Sequence, residues 1–436
     1  MSYPPAALAI LALSIASQAA AAWTHEAYVW QRQPAPAALD AALENTRGFL
    51  DAFCFLAAEV SFGKNDAPPK IIRVPLDCGK LAAFSAAARK PIALAIRVGT
   101  LTTQKQFADF QPRLAALAAE ILSTARAAGL DPAELQIDFD CPESKLGLYR
   151  DWLAALRPAI GKTPLAFTAL PAWLDHAAAF AALASEADSF VLQVHSLEKP
   201  RDIRDHFSLC PRDAALRHAT RASDLAARAG TRFRVALPTY GYTLGFNAEG
   251  RFIGLAAETP RDWPAGAQLR NVRSDPAAMQ SLAHELAAAK FPRATGIAWF
   301  RLPVEGDHLA WNAGTLAAVI QNKPITTRLA VEIHRARPGL AEIIVINRGQ
   351  TAEPLPETLR ITWTRGFRPI AYDALGGYSF YYDNGTSGAA GTFVVSRKLT
   401  ADELAPGRSR VIGWVRFDFS ESSNNTENFS IHAAIP

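Results

Sequence analysis

From residue 23 to about residue 320 the chain alternates two kinds of apolar spacing. Short runs rich in β-branched and aromatic residues occur at HEAYVWQ (25–31), FCFLAAEVSF (53–62), PIALAIRVG (91–99), ELQIDFD (134–140), TPLAFTAL (163–170), SFVLQVHSL (189–197), FRVALPTYGY (233–242) and TGIAWFRLP (295–303). Between them lie alanine-rich segments such as 37–50, 110–130, 148–160, 212–230 and 275–290, where apolar residues recur every three or four positions. The first spacing predicts strands and the second predicts amphipathic helices. Asp275–Pro276 reads as a helix start, and Gly129 and Gly230 read as helix stops. A further run, KIIRVPLD (70–77), predicts an extra strand in the second β-to-α connection. Eight strand-then-helix units in some 300 residues predict a (β/α)₈ TIM barrel, an α/β fold. A doubly wound sheet would carry a glycine-rich phosphate loop after an early strand, and none is found.

After Gln321–Asn322–Lys323–Pro324 the texture changes. Eight β-type runs follow, from LAVEIHRA (329–336) to NFSIHAAI (428–435), with Gly, Asn, Pro and Asp between them. They predict a β-sandwich. The expected organisation is a signal peptide at 1–22, a barrel at 23–322 and a β-sandwich accessory domain at 326–436. Tyr378, Tyr381, Tyr382 and Trp414 of the last could touch carbohydrate, but sandwich core is their default role.

Composition sharpens this reading at the N-terminus. Residues 6–16, AALAILALSIA, are too short to span a bilayer and are followed by small residues and then Trp23–Thr24–His25–Glu26. This fits a secretory signal cleaved before Trp23, although the n-region has no Lys or Arg. The protein is thus expected to be exported, periplasmic or secreted, with no stable membrane span after cleavage. A formal net charge of +4 without a basic run argues against a nucleic-acid partner. Cys54, Cys78, Cys141 and Cys210 show no C-x-x-C spacing, so no structural zinc is expected. Export would permit disulfides, for instance Cys54 with Cys78 and Cys141 with Cys210, as one of three pairings; four free thiols are the alternative.

Working residues in such barrels come from the C-terminal ends of the strands. On the fourth strand Leu135, Ile137 and Phe139 share one face, and Gln136, Asp138 and Asp140 share the other, which should point inward. Two inward carboxylates so close together should raise one another's pKa, which suits acid–base work. Companions at other strand ends are Trp30, Glu59 (with Phe55 and Ala57), Arg97, Gln193, His195, Tyr240, and Trp299 with Arg301. Aromatic faces beside hydrogen-bonding groups suit sugar rings.

These residues resemble the chitinase-type (family 18) glycoside hydrolases. The D-x-x-D-x-D-x-E motif of that family corresponds to LQIDFDCPE (135–143), its P-x-Y-G element to LPTYGY (237–242), and its sugar-binding Trp to Trp299. A closer likeness, marked by D-x-D-C-P, is to a family of proteobacterial exported proteins known as a domain of unknown function. The resemblance implies a glycosidase-like barrel acting on a poly- or oligosaccharide. Three departures stand out. The position of the catalytic acid is Pro142, with Glu143 one residue late. The first motif aspartate is replaced by Leu135, and the third strand reads IRVGT in place of S-x-G-G.

The leading expectation is a hydrolase of a cell-envelope or exopolysaccharide glycan. Its catalytic residues would be Asp140 with Glu59 or Glu143, with Asp138 tuning Asp140. Arg97, His195, Tyr240 and Trp299 would orient the sugar, with Trp30, Gln193 and Arg301 nearby. The alternative is a glycan-binding or envelope-assembly protein without turnover, motivated by Pro142. A third reading, a metal-dependent deacetylase using Asp138, Asp140 and His195, is weaker, and no metal or cofactor is expected.

Overall fold

The computed structural model describes residues 23–33, 35–63, 68–101, 103–257, 261–307, 309–337, 339–364, 367–383, 390–395, 403–418 and 430–435. The expected signal segment, 1–22, lies outside them.

Eight parallel strands close into a barrel: β1 (Thr24–Val29), β2 (Ala52–Ser61), β3 (Ile92–Val98), β4 (Glu134–Phe139), β5 (Leu165–Ala169), β6 (Ser189–Gln193), β7 (Arg232–Pro238) and β8 (Ala294–Phe300). β1 pairs with both β2 and β8, which completes the ring. Each strand is followed by a helix: α1 (Pro36–Thr46), α2 (Cys78–Ala88), α3 (Gln104–Ala127), α4 (Leu146–Ile160), α5 (Ala177–Ala184), α6 (Arg212–Ala229), α7 (Pro276–Ala288) and α8 (Ala313–Ile320). The ends obey local chemistry. Thr103 and Gln106 form a reciprocal capping box on α3, and Asp275 caps α7 with Pro276 at its first position. Gly230 ends α6 at φ +73°, a conformation that favours glycine.

Large side chains fill the layer between strands and helices, among them Phe107, Phe139, Tyr149, Trp152, Phe167 and Phe190. The bore is lined by smaller residues, including Ala93, Ala95, Val191, Ala236 and Ala298, with Tyr28 and Trp30 among them. This size contrast leaves room in the bore for polar side chains.

Two additions shape the barrel mouth. β1 pairs with β2 only as far as Phe55, and β2 runs on to Ser61. Its vacated edge is taken by an antiparallel strand, Lys70–Arg73, opposite Ala58–Ser61. The strand stops at Arg73, short of the predicted 70–77, and Asp77 serves as the cap of α2. Between β7 and α7, the strands Gly241–Phe246, Phe252–Ala256 and Gln268–Arg273 form an antiparallel sheet. The loop after β6 is hydrogen-bonded to it: Phe252 N donates to Arg201 O, and Arg270 Nη1 donates to Asp205 O at 2.9 Å.

The C-terminal strands form two four-stranded antiparallel sheets around one core. Leu329–Arg337, Leu340–Asn347, Ser409–Phe417 and Pro369–Ala374 make one sheet; Tyr378–Asp383, Ala390–Val395, Thr358–Trp363 and Ile431–Ala434 make the other. Ile343, Val345, Leu359, Ile361, Phe393 and Val415 meet between them. Tyr378 is buried, its hydroxyl donating to Pro356 O at 2.8 Å, and Trp414 is half-buried. Tyr381 is exposed, and the side chain of Tyr382 lies outside the described residues. Thr315 of α8 donates to Gln350 O at 3.1 Å, and Arg273 pairs with Glu403, so the sandwich is tied to the barrel's last units. All four cysteines are free thiols.

Candidate functional site

The alternation of β4 carries the site. Glu59 of β2, Arg97 of β3 and Asp138 of β4 are register partners in one row across the sheet. Asp138 is buried and fully engaged: Arg97 Nη1 donates to Oδ2 at 2.9 Å, and Thr168 Oγ1 donates to Oδ1 at 2.7 Å. Asp140 sits two residues on, at the strand's end, and remains accessible through the barrel mouth. Among the described residues its carboxyl has no hydrogen-bond or ion-pair partner. Desolvation by the surrounding protein raises its pKa above the usual 3.8, and the neighbouring Asp138 raises it further. Arg97 opposes both.

Asp138, Asp140 and Arg97 line a cavity of about 250 Å³ at the C-terminal end of the barrel. Tyr28 and Trp30 of the β1 side and Phe300 of β8 form an aromatic wall, with ring centroids 5.4–5.6 Å apart. Gln193, His195 and Ser196 come from the end of β6, and Tyr240 and Tyr242 from the end of β7. Tyr240 Oη lies 3.2 Å from His195 Nδ1 and 3.0 Å from Tyr242 Oη, which is 2.6 Å from Ser196 Oγ. Burial pushes the His195 pKa down to about 3, so its imidazole is neutral at ordinary pH. It stacks on Phe300 with centroids 5.5 Å apart.

Beneath the cavity runs a second polar system. Tyr28 Oη donates to Gln136 Oε1 at 2.6 Å, and Gln136 Nε2 donates to Glu134 at 2.7 Å. Glu134 also accepts from Ser189 and from Arg234, which reaches Glu26 with its other terminal nitrogen at 2.6 Å. Glu134 therefore accepts bonds at both oxygens, whereas Glu26 Oε1 is buried without a partner. Burial raises the Glu26 pKa, an effect that Arg234 only partly offsets. This system gives the cavity floor a fixed hydroxyl at Tyr28.

The structure thus brings together Trp30, Arg97, Asp138, Asp140, Gln193, His195 and Tyr240, all expected from sequence. Four expected residues fall elsewhere. Glu59 does not line the cavity: Arg32 grips its carboxylate at 2.6 and 2.7 Å. Cys54 and Leu56 point into the bore while Phe55 packs outside, and a bulge between Leu56 and Ala58 breaks the predicted face beyond them. Glu143 begins a 3₁₀ turn outside the cavity and pairs with His176 at 2.9 Å. The face of β8 is inverted relative to expectation. Ala298 and Phe300 point inward, and Trp299 is wholly buried in the outer layer, its Nε1 donating to His25 Nδ1 at 3.2 Å. Arg301 pairs with Asp307 and lies 5.7 Å from the Tyr240 ring centroid, so it backs the cavity wall and does not line it.

Sequence reasoning missed Tyr28, Thr168, Ser196, Tyr242 and Phe300. Tyr28 was within reach, because it alternates with Trp30 as Tyr242 does with Tyr240. The three residues named in the metal reading, Asp138, Asp140 and His195, share the cavity, but among the described residues no three His, Cys, Asp or Glu side chains converge to hold an ion. A larger cleft of about 790 Å³ between α1 and α2 is apolar, and its charges, such as the Asp40–Lys80 pair, stand on α1 and α2 outside the barrel. It lacks the converging polar groups that chemistry needs.

Two family models match the chain. The model described as "Domain of unknown function (DUF3142)" covers residues 88–305, and "Domain of unknown function (DUF8456)" covers 330–418. No curated protein matches. Among solved structures, the chain is similar to the spore cortex-lytic enzyme SleL of Bacillus cereus, with 13% identity and a TM-score of 0.47, over 70% of this chain and 75% of that one. It is similar to a chitinase from Chromobacterium violaceum, with 14% identity and a TM-score of 0.47, over 69% and 98%. It is also similar to a chitinase-like agglutinin from Robinia pseudoacacia, with 10% identity and a TM-score of 0.42, over 68% and 99%. The first family model spans half of the sequence, from β3 through β8, and the chain belongs to that family, the domain of unknown function DUF3142.

Proposed function

We propose that this protein is an exported, glycosidase-like enzyme that binds a glycan in the barrel cavity and uses Asp140 as its acid. The observation that carries this reading is Asp140 itself, a carboxyl without a partner among the described residues and with a raised pKa, in a cavity walled by aromatic rings and hydrogen-bonding side chains. A general acid must hold its proton near the working pH, and desolvation beside a second carboxylate does that. Sugar rings present apolar C–H faces to Trp30 and Phe300 and hydroxyl edges to Gln193, Tyr240 and Arg97. Asp138, fixed by Arg97 and Thr168, is the charged neighbour that tunes Asp140. The substrates are cell-envelope or exopolysaccharide glycans, in keeping with the signal-like residues 1–22.

A second reading is a binding protein without turnover. It is favoured by Pro142 at the acid position of the chitinase-type motif and by the engagement of Glu59 with Arg32 and Glu143 with His176. Glycoside hydrolysis usually needs two carboxyl groups flanking the bond, or one with help from the substrate. The test is oligosaccharide release from a panel of envelope and exopolysaccharide glycans, read by mass spectrometry for the wild type and Asp140→Asn. Products from the wild type alone support the enzyme. One glycan bound by both proteins without products supports the second reading. Neither binding nor products would sink both.

A further inference from the structure

Seven of the eight barrel strands, or the residues directly after them, contribute to the cavity wall, β2 being the exception. Trp30 and Phe300 stand on one side, Asp140 and Arg97 on another, and His195 and Tyr242 on a third. The loop after β6, which carries Ser196, and the inserted sheet, which carries Tyr242, are joined by the Phe252–Arg201 and Arg270–Asp205 bonds. A cleft that takes the middle of a polymer needs two open ends, and this is a well with one mouth. Its 250 Å³ lies below the roughly 300–1,000 Å³ of pockets that enclose drug-sized ligands. It has room for one ring and not for a row of them.

The charges in the well are nearly matched. Arg97 is paired with Asp138, and His195 is uncharged. At the rim Arg32 is paired with Glu59, and behind Tyr240 Arg301 is paired with Asp307. Asp140 is the remaining ionisable carboxyl, so a carboxylate-bearing sugar would meet no unmatched cation, and would be repelled by Asp140 whenever that group is ionised. Building on the glycan reading above, we infer that the well takes a single uncharged pyranose at a chain end. The protein then acts on, or holds, glycan termini.

The full-length protein would be titrated calorimetrically with glucose, galactose, mannose, N-acetylglucosamine and their linear tetramers, and with glucuronate and galacturonate. It would also be incubated with reducing-end-labelled tetramers. One monosaccharide should bind within about threefold of its tetramer, and at least about tenfold more tightly than the corresponding uronate. Any cleavage should release the free monosaccharide first. A tetramer preferred by more than about tenfold, internal fragments as first products, or equal uronate binding would overturn the inference while leaving the glycan reading intact. Binding of no sugar would overturn both. Gln193→Ala, with an unchanged melting temperature, should weaken monosaccharide binding about tenfold; unchanged affinity would place the sugar elsewhere and overturn the inference.

Discussion

At the scale of single residues, the account turns on how two aspartates on one strand differ. Asp138 has both oxygens occupied by Arg97 and Thr168, whereas Asp140 has neither occupied among the described residues. The raised pKa of Asp140 comes first from desolvation and then from Asp138, with Arg97 pulling it down. If Asp140 acts as an acid, kcat/KM must fall as pH rises through its pKa. Asp138→Asn removes a negative neighbour, so that alkaline limb should move to lower pH. Arg97→Gln removes the opposing charge, so it should move to higher pH. Carboxyl chemical shifts followed by NMR titration would check both directions even without turnover, and a limb that moves the same way in both variants would contradict the assignment. His195 adds no inflection between pH 5 and 8, because burial already keeps it neutral. Most of this was legible in the sequence, since the i, i+2 spacing of Gln136, Asp138 and Asp140 forces one face. What was not legible is which carboxylates are already engaged. Arg32 lies 27 positions from Glu59, and His176 lies 33 from Glu143.

At the scale of elements, the bore explains both the successes and the failure on β8. The inward faces of β3, β7 and β8 carry Ala93, Ala95, Ala236 and Ala298, and the bulky Trp299 stands outside. Assigning the large Trp299 to the lumen reversed this, and Phe300 took its place because Ala298 marks the inward face. The β2 bulge likewise could not be read from an uninterrupted apolar run. The buried Arg234 with Glu26 and Glu134 supplies a stability prediction. Arg234→Met leaves two buried carboxyl groups without their cation and should cost about 3–5 kcal/mol, seen as a lower urea midpoint of the barrel transition. Glu26→Gln should act differently. The folded state holds the Glu26 proton above the ordinary glutamate value of 4.5, where the unfolded chain releases it. The folded state therefore binds more protons in that range, and stability falls as pH rises from 4.5 through the folded-state pKa. Glu26→Gln should flatten that slope; urea midpoints from pH 4 to 8 would show it, and an unchanged slope would contradict it.

At the scale of the whole molecule, the order of eight strand–helix units followed by an all-strand region was readable from periodicity alone, because each unit keeps one spacing for many residues. The way the sandwich is tied to the barrel was not readable, because Arg273 and Glu403 are 130 residues apart. The mature protein purified from its native host should begin at Trp23 when its N-terminus is sequenced; a chain retaining residues 1–22 would count against secretion. The central claim is that the barrel cavity is where a glycan meets Asp140. The most direct measurement is a crystal structure of Asp140→Asn bound to the tightest glycan of the panel. The account predicts one sugar ring against the wall formed by Trp30 and Phe300, with its glycosidic oxygen within hydrogen-bond reach of the substituted side chain. A glycan seated on the sandwich or in the α1–α2 cleft, with the barrel cavity holding only water, would contradict it.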